Sequence, residues 1–143
     1  MSPGSGEAGA MARKGWEQKY TGARPPHVVV LEKPYGGLPA GKRLFVAAPL
    51  LIEDRVRAVP RGATLTVAAL REALAREHGA DATCPTSTAI FLRIVAERAL
   101  ERMALGDPDP APFWRVVDPD SPLAGKLSCG RTFVAERRRS EAQ

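Results

Sequence analysis

Residues 66–103 read TVAALREALAREHGADATCPTSTAIFLRIVAERALERM, and this stretch predicts two amphipathic helices joined by a short linker. Apolar residues recur at helical spacing in the first helix, which reaches about His78. Thr66 can cap its start, and Gly79 is typical of a helix end. The apolar stripe of this helix consists of Val67, Leu70 and Leu74.

The second helix begins at Pro85, a residue suited to the first helical turn, and extends to about Met103. Thr83 or Cys84 is its expected N-terminal cap, and Gly106 ends it. The face expected to be buried consists of Leu92, Val95, Ala96, Ala99 and Met103.

Three hydroxyl residues, Thr86, Ser87 and Thr88, open the second helix. A tight helix pair with polar residues at this position is typical of a helix-turn-helix, whose second helix enters the DNA major groove. The hydroxyls could donate to phosphate, assisted by free backbone N–H groups and the helix dipole. They could equally do no more than satisfy the hydrogen bonds of the helix start.

The flanking sequence adds shorter elements. Upstream, residues 44–46 are predicted to be extended, and Pro49–Ala58 to form a short helix. Downstream, Phe113-Trp-Arg-Val-Val117 has strand character, a turn spans residues 118–125, and a last helix begins at about Thr132. These elements predict a mainly α domain with a short strand pair.

Length and composition limit the class of protein. The 143 residues predict one domain, and 44% hydrophobic with 26% charged residues is ordinary for a folded soluble protein. No run of about 18 apolar residues predicts a membrane span. Cys84 and Cys129 are too few for a disulfide scaffold, and they do not form metal-ligand spacing with His27 and His78. The chain starts without the layout of a secretory signal. A cytoplasmic protein without metal or cofactor is therefore expected.

Residues 1–43 contain 8 Gly and 5 Pro, and they are predicted to be a largely disordered extension of a domain spanning residues 44–143. Residues 28–31 could dock as an edge strand. The net charge of +5 is concentrated at the two ends of the chain. Residues 1–43 hold 7 basic and 3 acidic side chains, and residues 126–143 hold 5 basic and 2 acidic ones. Residues 44–125, in contrast, hold 9 basic and 11 acidic side chains. Basic ends either contact phosphate or only keep the chain soluble.

Several short motifs, in their order and spacing, resemble a known family. They are Val59-Pro-Arg-Gly62, His78-Gly-Ala-Asp81, Cys84-Pro85, Thr88-Ala-Ile-Phe91 and Pro112-Phe-Trp-Arg-Val-Val117. With them, residues 44–143 resemble the DNA-binding domain of the O-6-alkylguanine-DNA alkyltransferases, and more closely a bacterial and archaeal branch of alkyltransferase-related proteins. The resemblance implies a winged helix-turn-helix-like domain that binds double-stranded DNA.

The departures from the family concern its chemistry. The acceptor cysteine falls on Phe113 and the activating histidine on Trp114. A phenyl ring cannot accept an alkyl group, so the resemblance implies no dealkylation at this position. Alkyltransferase-like proteins also replace the acceptor, usually by tryptophan or alanine, bind alkylated guanine and pass the lesion to nucleotide excision repair. The chain is therefore expected to be a monomeric, non-enzymatic DNA-binding protein, with a repair protein as a candidate partner.

The resemblance also implies a set of site residues. In the family, a tyrosine helps to rotate the nucleotide and an arginine fills the vacated position in the base stack. These residues fall on Val67 and Ala89 here, so less of the free-energy cost of base flipping is offset. Phe113 and Trp114 either stack on a base or only pack in the core. The expected lesion pocket consists of Val67, Cys84, Ala89, Phe113 and Trp114. The expected DNA contacts are Arg61, Thr66, Thr86, Ser87, Thr88, Arg93, Arg115 and Lys126. Arg115 could instead pair with a carboxylate of the protein itself.

Two other functions stay open. The acidic balance of residues 44–125, together with the replacements at Val67 and Ala89, favours a protein interaction module that kept the fold and lost DNA binding. Cys84 could instead be a reactive thiol, because a helix N-terminus stabilises a thiolate, although a small capping residue is the simpler interpretation. Cys129 is expected to be an incidental thiol.

Overall fold

A computed structural model describes residues 15–143, and the expectation of disorder for residues 1–14 lies outside this part of the chain. The described chain is mainly helical with a small three-stranded sheet. Its helices are α1 (Trp16–Thr21), α2 (Pro49–Ala58), α3 (Val67–Glu77), α4 (Pro85–Ala104), α5 (Pro122–Lys126) and α6 (Gly130–Glu141). Its strands are β1 (His27–Val30), β2 (Arg43–Val46) and β3 (Ala82–Thr83), and Phe113–Arg115 form a single 3-10 turn.

The central helix pair is confirmed. Thr66 caps α3 by accepting a hydrogen bond from the backbone N–H of Ala69 at 3.0 Å. Cys84 caps α4, because its Sγ accepts from the N–H of Ser87 at 3.5 Å. The predicted apolar faces are turned inward, and the fully or nearly fully buried residues among them are Leu70, Leu74, Leu92, Val95, Ala96 and Ala99.

The linker between α3 and α4 also carries a strand. β2 lies in the middle of the sheet, antiparallel to β1 and parallel to β3, with Leu44 opposite Ala82. Two residues of β3 therefore anchor the start of α4 to the sheet, and the N–H of Cys84 donates to the carbonyl of Phe45 at 2.8 Å. This pairing fixes the angle at which α4 leaves the linker.

The prediction of a strand at residues 113–117 is wrong. The N–H groups of Val116 and Val117 both donate to the carbonyl of Phe113, at 3.0 and 2.8 Å, which closes the backbone into a tight local turn. Phe113 and Trp114 are both buried, whereas successive side chains of a strand point to opposite faces. Part of the turn expected after it forms the short helix α5, capped by the hydroxyl of Ser121.

Residues 15–43 are ordered into the fold, contrary to the prediction of a largely disordered extension. β1 is the expected edge strand. α1 packs on α4, where Nε of Arg98 donates to the carboxylate of Glu17 at 2.8 Å. The Tyr20 hydroxyl donates to the buried carboxylate of Glu53 on α2. Composition did not reveal these contacts, because the charged partners Arg98 and Glu53 lie outside the Gly/Pro-rich segment.

Within residues 15–143, no helix combines the length and the apolar content that crossing a membrane requires.

Candidate functional site

A cleft of about 550 Å³ opens between the start of α3, the middle of α4 and residues 116–126, and we call it the α3–α4 cleft. Its volume lies in the range of pockets that bind small organic groups. Most of its exposed lining is apolar. The main wall residues are Leu65, Val67, Ile90, Val116, Val117 and Leu123.

The polar residues around this cleft are mostly basic. Lys126 is exposed and Arg93 is half-buried, whereas Asp118 is the acidic residue among those that line the cleft. Arg138 also lines the cleft, but its guanidinium is already engaged within the protein. It donates to the carbonyls of Trp114 and Val117 at 2.7 and 3.0 Å. An anionic ligand therefore meets Lys126 and Arg93 first.

Local sequence features build the cleft. The N–H of Leu65 donates to the carbonyl of Arg115 at 2.8 Å, which holds the start of α3 against the 3-10 turn. Ile90 lies outside the buried stripe of α4 and is 54% exposed, although Leu92 two positions later is fully buried. Ala89 beside it is exposed and small, so the mouth of the cleft stays open.

Two of the five expected lesion-pocket residues lie in this cleft, Val67 and Ala89. Cys84, Phe113 and Trp114 do not line it. Phe113 is fully buried, with its ring edge-on to Trp114 at 5.3 Å and parallel to Phe133 at 6.2 Å between ring centroids. Trp114 is 5% exposed. Packing in the core, rather than stacking on a ligand, is thus the role these two rings have here.

The expected DNA contacts divide in the same way. Thr66, Arg93 and Lys126 line the α3–α4 cleft. Thr86 is exposed on the first turn of α4, where its hydroxyl lies 3.0 Å from that of Tyr35. Ser87 is half-buried beside it, so the start of α4 still presents hydroxyl groups to a ligand.

Three expected contacts are placed elsewhere. Thr88 is fully buried, and its hydroxyl donates to the carbonyl of Cys84 at 2.7 Å, so it stabilises the helix start. Arg115 donates to both carboxylate oxygens of Glu141 at 2.9 Å and to the carbonyl of Val59 at 2.7 Å. Arg61 is exposed near Glu141 and does not line the α3–α4 cleft.

The two thiols have opposite environments. Burial raises the pKa of Cys84, but hydrogen bonds from Ser87, Tyr35 and Thr86 outweigh it, so the pKa lies below its ordinary value. Burial and the nearby Glu97 carboxylate raise the pKa of Cys129. That carboxylate is itself buried and accepts from the Ser128 N–H and hydroxyl at 2.9 and 2.6 Å.

Cys84 is expected to react with iodoacetamide at neutral pH at least about tenfold more slowly than a free thiol, because access as well as pKa controls thiol reactivity. Its side chain is buried at the first turn of α4, and the residue is only 7% exposed. Peptide mapping by mass spectrometry measures the rate, with Cys129 as the internal comparison. Alkylation of Cys84 faster than the free-thiol standard would restore the reactive-thiol hypothesis.

Sequence reasoning missed most of the cleft wall. Leu65, Val116, Val117 and Leu123 come from segments far apart in the chain, and nothing in their local pattern brings them together. Ile90 did carry a signal, since an isoleucine off the apolar stripe of an amphipathic helix predicts an exposed apolar side chain.

No family model matches the chain, and no curated protein or solved structure matches it. Among the described residues, no group of three or more His, Cys, Asp and Glu side chains is placed to hold a metal ion.

Proposed function

We propose that this chain is a non-enzymatic duplex-DNA-binding protein of the alkyltransferase-like type. In this proposal α3 and α4 act as the helix-turn-helix of a winged-helix-like domain, and the α3–α4 cleft receives an O-6-alkylguanine turned out of the duplex. The observation that carries the proposal is an apolar cleft beside the exposed start of the second helix of the pair. Base-extruding proteins need such a pocket within reach of the groove.

The composition of the cleft suits an alkylated base. Its apolar wall removes the added alkyl group and the base faces from water, which is favourable in proportion to the apolar area buried. Lys126 and Arg93 attract the flanking phosphates, and the Thr86 hydroxyl can donate to one of them while it accepts from the hydroxyl of Tyr35. In this proposal the cleft recognises the base, and the basic and hydroxyl residues beside it bind the DNA backbone.

Ile90 supplies an alternative to the missing stack-filling arginine. Ala89 is too small to occupy a vacated base position, but the adjacent Ile90 is a large apolar side chain that is 54% exposed. Inserted apolar side chains of this kind unstack base steps in proteins that deform DNA. We therefore assign to Ile90 the wedge that accompanies base extrusion.

No alkyl transfer is proposed, because Phe113 has no nucleophilic atom and Cys84 does not line the cleft. The bound lesion would then be passed to a repair protein, and a nucleoid-associated location follows from the same proposal.

Fluorescence anisotropy with a short duplex, unmodified or bearing one O-6-methylguanine, tests the proposal at two salt concentrations. We expect both duplexes to bind with salt-sensitive affinity. We expect the lesion to be favoured by at least about tenfold, or about 1.4 kcal/mol. Equal affinities would leave a general DNA-binding protein, and no binding at low salt would overturn the proposal.

Two variants separate backbone attraction from lesion recognition. Lys126→Ala is expected to weaken both duplexes alike and to reduce the slope of log affinity against log salt by about 1. Ile90→Ala is expected to remove most of the lesion preference while it changes the affinity for unmodified DNA less. Lys42→Ala, at an exposed lysine outside the cleft, is the matched control. An equal effect of Lys42→Ala and Lys126→Ala would contradict a defined phosphate contact.

A protein interaction module is the second candidate. It is favoured by the exposed apolar Ile90 and by Asp118 on the rim of the cleft, since an apolar surface with mixed charges around it suits a protein partner. This candidate predicts no duplex binding even at low salt.

A further inference from the structure

A second cleft, of about 720 Å³, lies between α1, the first two strands and α4, and we call it the α1–α4 cleft. Ile90 and Arg93 line both clefts and so form the ridge between them. The exposed lining of the α1–α4 cleft is largely apolar. Its main wall residues are Trp16, Val46, Phe91 and Ile94.

Positive charge surrounds this apolar wall. Lys19, Arg24 and Arg93 line the cleft, and none of the described residues that line it is acidic. The Lys19 ammonium and the Arg93 guanidinium lie 4.4 and 5.4 Å from the ring centroid of Trp16. Glu17, the acidic residue of α1, pairs with Arg98 and does not line the cleft.

Arg93 provides a separate indication of a ligand. Its Nε is buried and has no hydrogen-bond partner among the described residues. A buried donor without a partner is unfavourable, so such a group normally has a partner. An anion in the α1–α4 cleft would meet the guanidinium of Arg93 together with the charges of Lys19 and Arg24.

We propose that the α1–α4 cleft binds a nucleotide, with the phosphate at Lys19, Arg24 and Arg93 and the base against the wall that includes Phe91. An anion alone would use the charges but leave the apolar wall empty, and an apolar ligand would leave the charges unpaired. A nucleotide satisfies both, and it could be a free molecule or one unit of a DNA strand. The assignment goes beyond the proposed function, which concerns the other side of α4.

Fluorescence of Trp16 reports on this site, because the cations expected to hold the phosphate lie over its ring. The full chain is titrated with dGMP, deoxyguanosine and inorganic phosphate. We expect a saturable change with dGMP and at least about tenfold weaker binding of the other two, which each lack half of the ligand. Trp16→Phe should abolish the signal, since Trp114 is the other tryptophan and is buried.

The double variant Lys19→Ala/Arg24→Ala is expected to weaken dGMP binding at least about tenfold. Lys126→Ala, a lysine of the α3–α4 cleft, should change it less than about twofold. The proposal is overturned if dGMP gives no saturable change up to about 10 mM. It is also overturned if the double variant binds dGMP as the original chain does. Neither result bears on lesion recognition, which the duplex assay with Lys126→Ala and Ile90→Ala decides separately.

A single strand of about eight nucleotides then distinguishes the two sources of the nucleotide. If the single strand competes for the site at concentrations at least about tenfold lower than dGMP requires, the ligand is a DNA strand that crosses α4 from one cleft to the other. Competition no stronger than that of dGMP supports a free nucleotide as the ligand.

Discussion

Replacement of Phe113 by alanine is expected to lower the free energy of unfolding by about 3–5 kcal/mol, as truncation of a buried aromatic ring does. The ring is fully buried and contacts the rings of Trp114 and Phe133. Its loss removes apolar burial and leaves a cavity that neighbouring elements cannot close without moving. Urea unfolding followed by circular dichroism measures the change, with the unchanged slope against urea as the check that the unfolding reaction is the same.

Ile90→Ala is the control for this experiment, because it also truncates a large apolar side chain but at an exposed position. We expect it to change the free energy of unfolding by less than about 0.5 kcal/mol. The reverse pattern, with Phe113→Ala as stable as the original chain and deficient in lesion binding, would place the ring in the ligand site. The pair therefore decides between packing and stacking for Phe113.

The helix pair could be predicted from sequence because its determinants are local. Thr66 needs only the next turn of α3 to act as a cap, and the burial of Leu70 and Leu74 follows from the 3.6-residue period. The start of α4 is indicated by Pro85, whose restricted φ and missing N–H suit the first helical position. Each of these signals lies within a few residues of the position that it predicts.

The errors occur where tertiary contacts override local preference. Residues 113–117 are rich in aromatic and β-branched side chains, which favour strands, yet the core buries both Phe113 and Trp114 on one side of a tight turn. α1 is a single short helix in a Gly/Pro-rich region, and it is ordered by ion pairs to residues such as Arg98, 81 positions away from Glu17. No window of sequence contains both members of such a pair.

In the candidate site, too, local sequence signals did not reveal the contacts between distant residues. Val67 and Ala89 both line the α3–α4 cleft. The expectation that they share a pocket came from the family resemblance, whereas helical spacing assigned Val67 only to the apolar stripe of α3. For Thr88 and Arg115 the sequence left two roles open, because a hydroxyl or a guanidinium is equally suited to bind phosphate or to satisfy the protein's own polar groups. Only the position of Glu141, 26 residues beyond Arg115, decides between these roles for the arginine.

Glu141 is expected to make stability depend on pH in the acid range. The hydrogen bonds from Arg115 lower the pKa of this carboxyl and burial opposes them, with the net result a pKa of about 2 against an ordinary 4.5. A carboxyl whose pKa is lower in the folded state stabilises the fold fully above its ordinary pKa. The contribution is lost as the pH falls from about 4.5 towards 2, and its upper limit is about 3 kcal/mol, at about 1.4 kcal/mol per pH unit.

Glu141→Gln is therefore expected to lower the free energy of unfolding by about 2–3 kcal/mol at neutral pH, since it leaves the guanidinium of Arg115 without its charged partner. The deficit relative to the original chain should shrink to about half at pH 3 and nearly vanish at pH 2. Glu136→Gln, on the exposed side of the same helix, should show no such deficit. Urea unfolding at these pH values measures all three chains. A deficit that stays constant from neutral pH to pH 2 would mean that the glutamate matters for its shape and not for its charge, and the ion pair with Arg115 would then not be what holds α6 to the 3-10 turn.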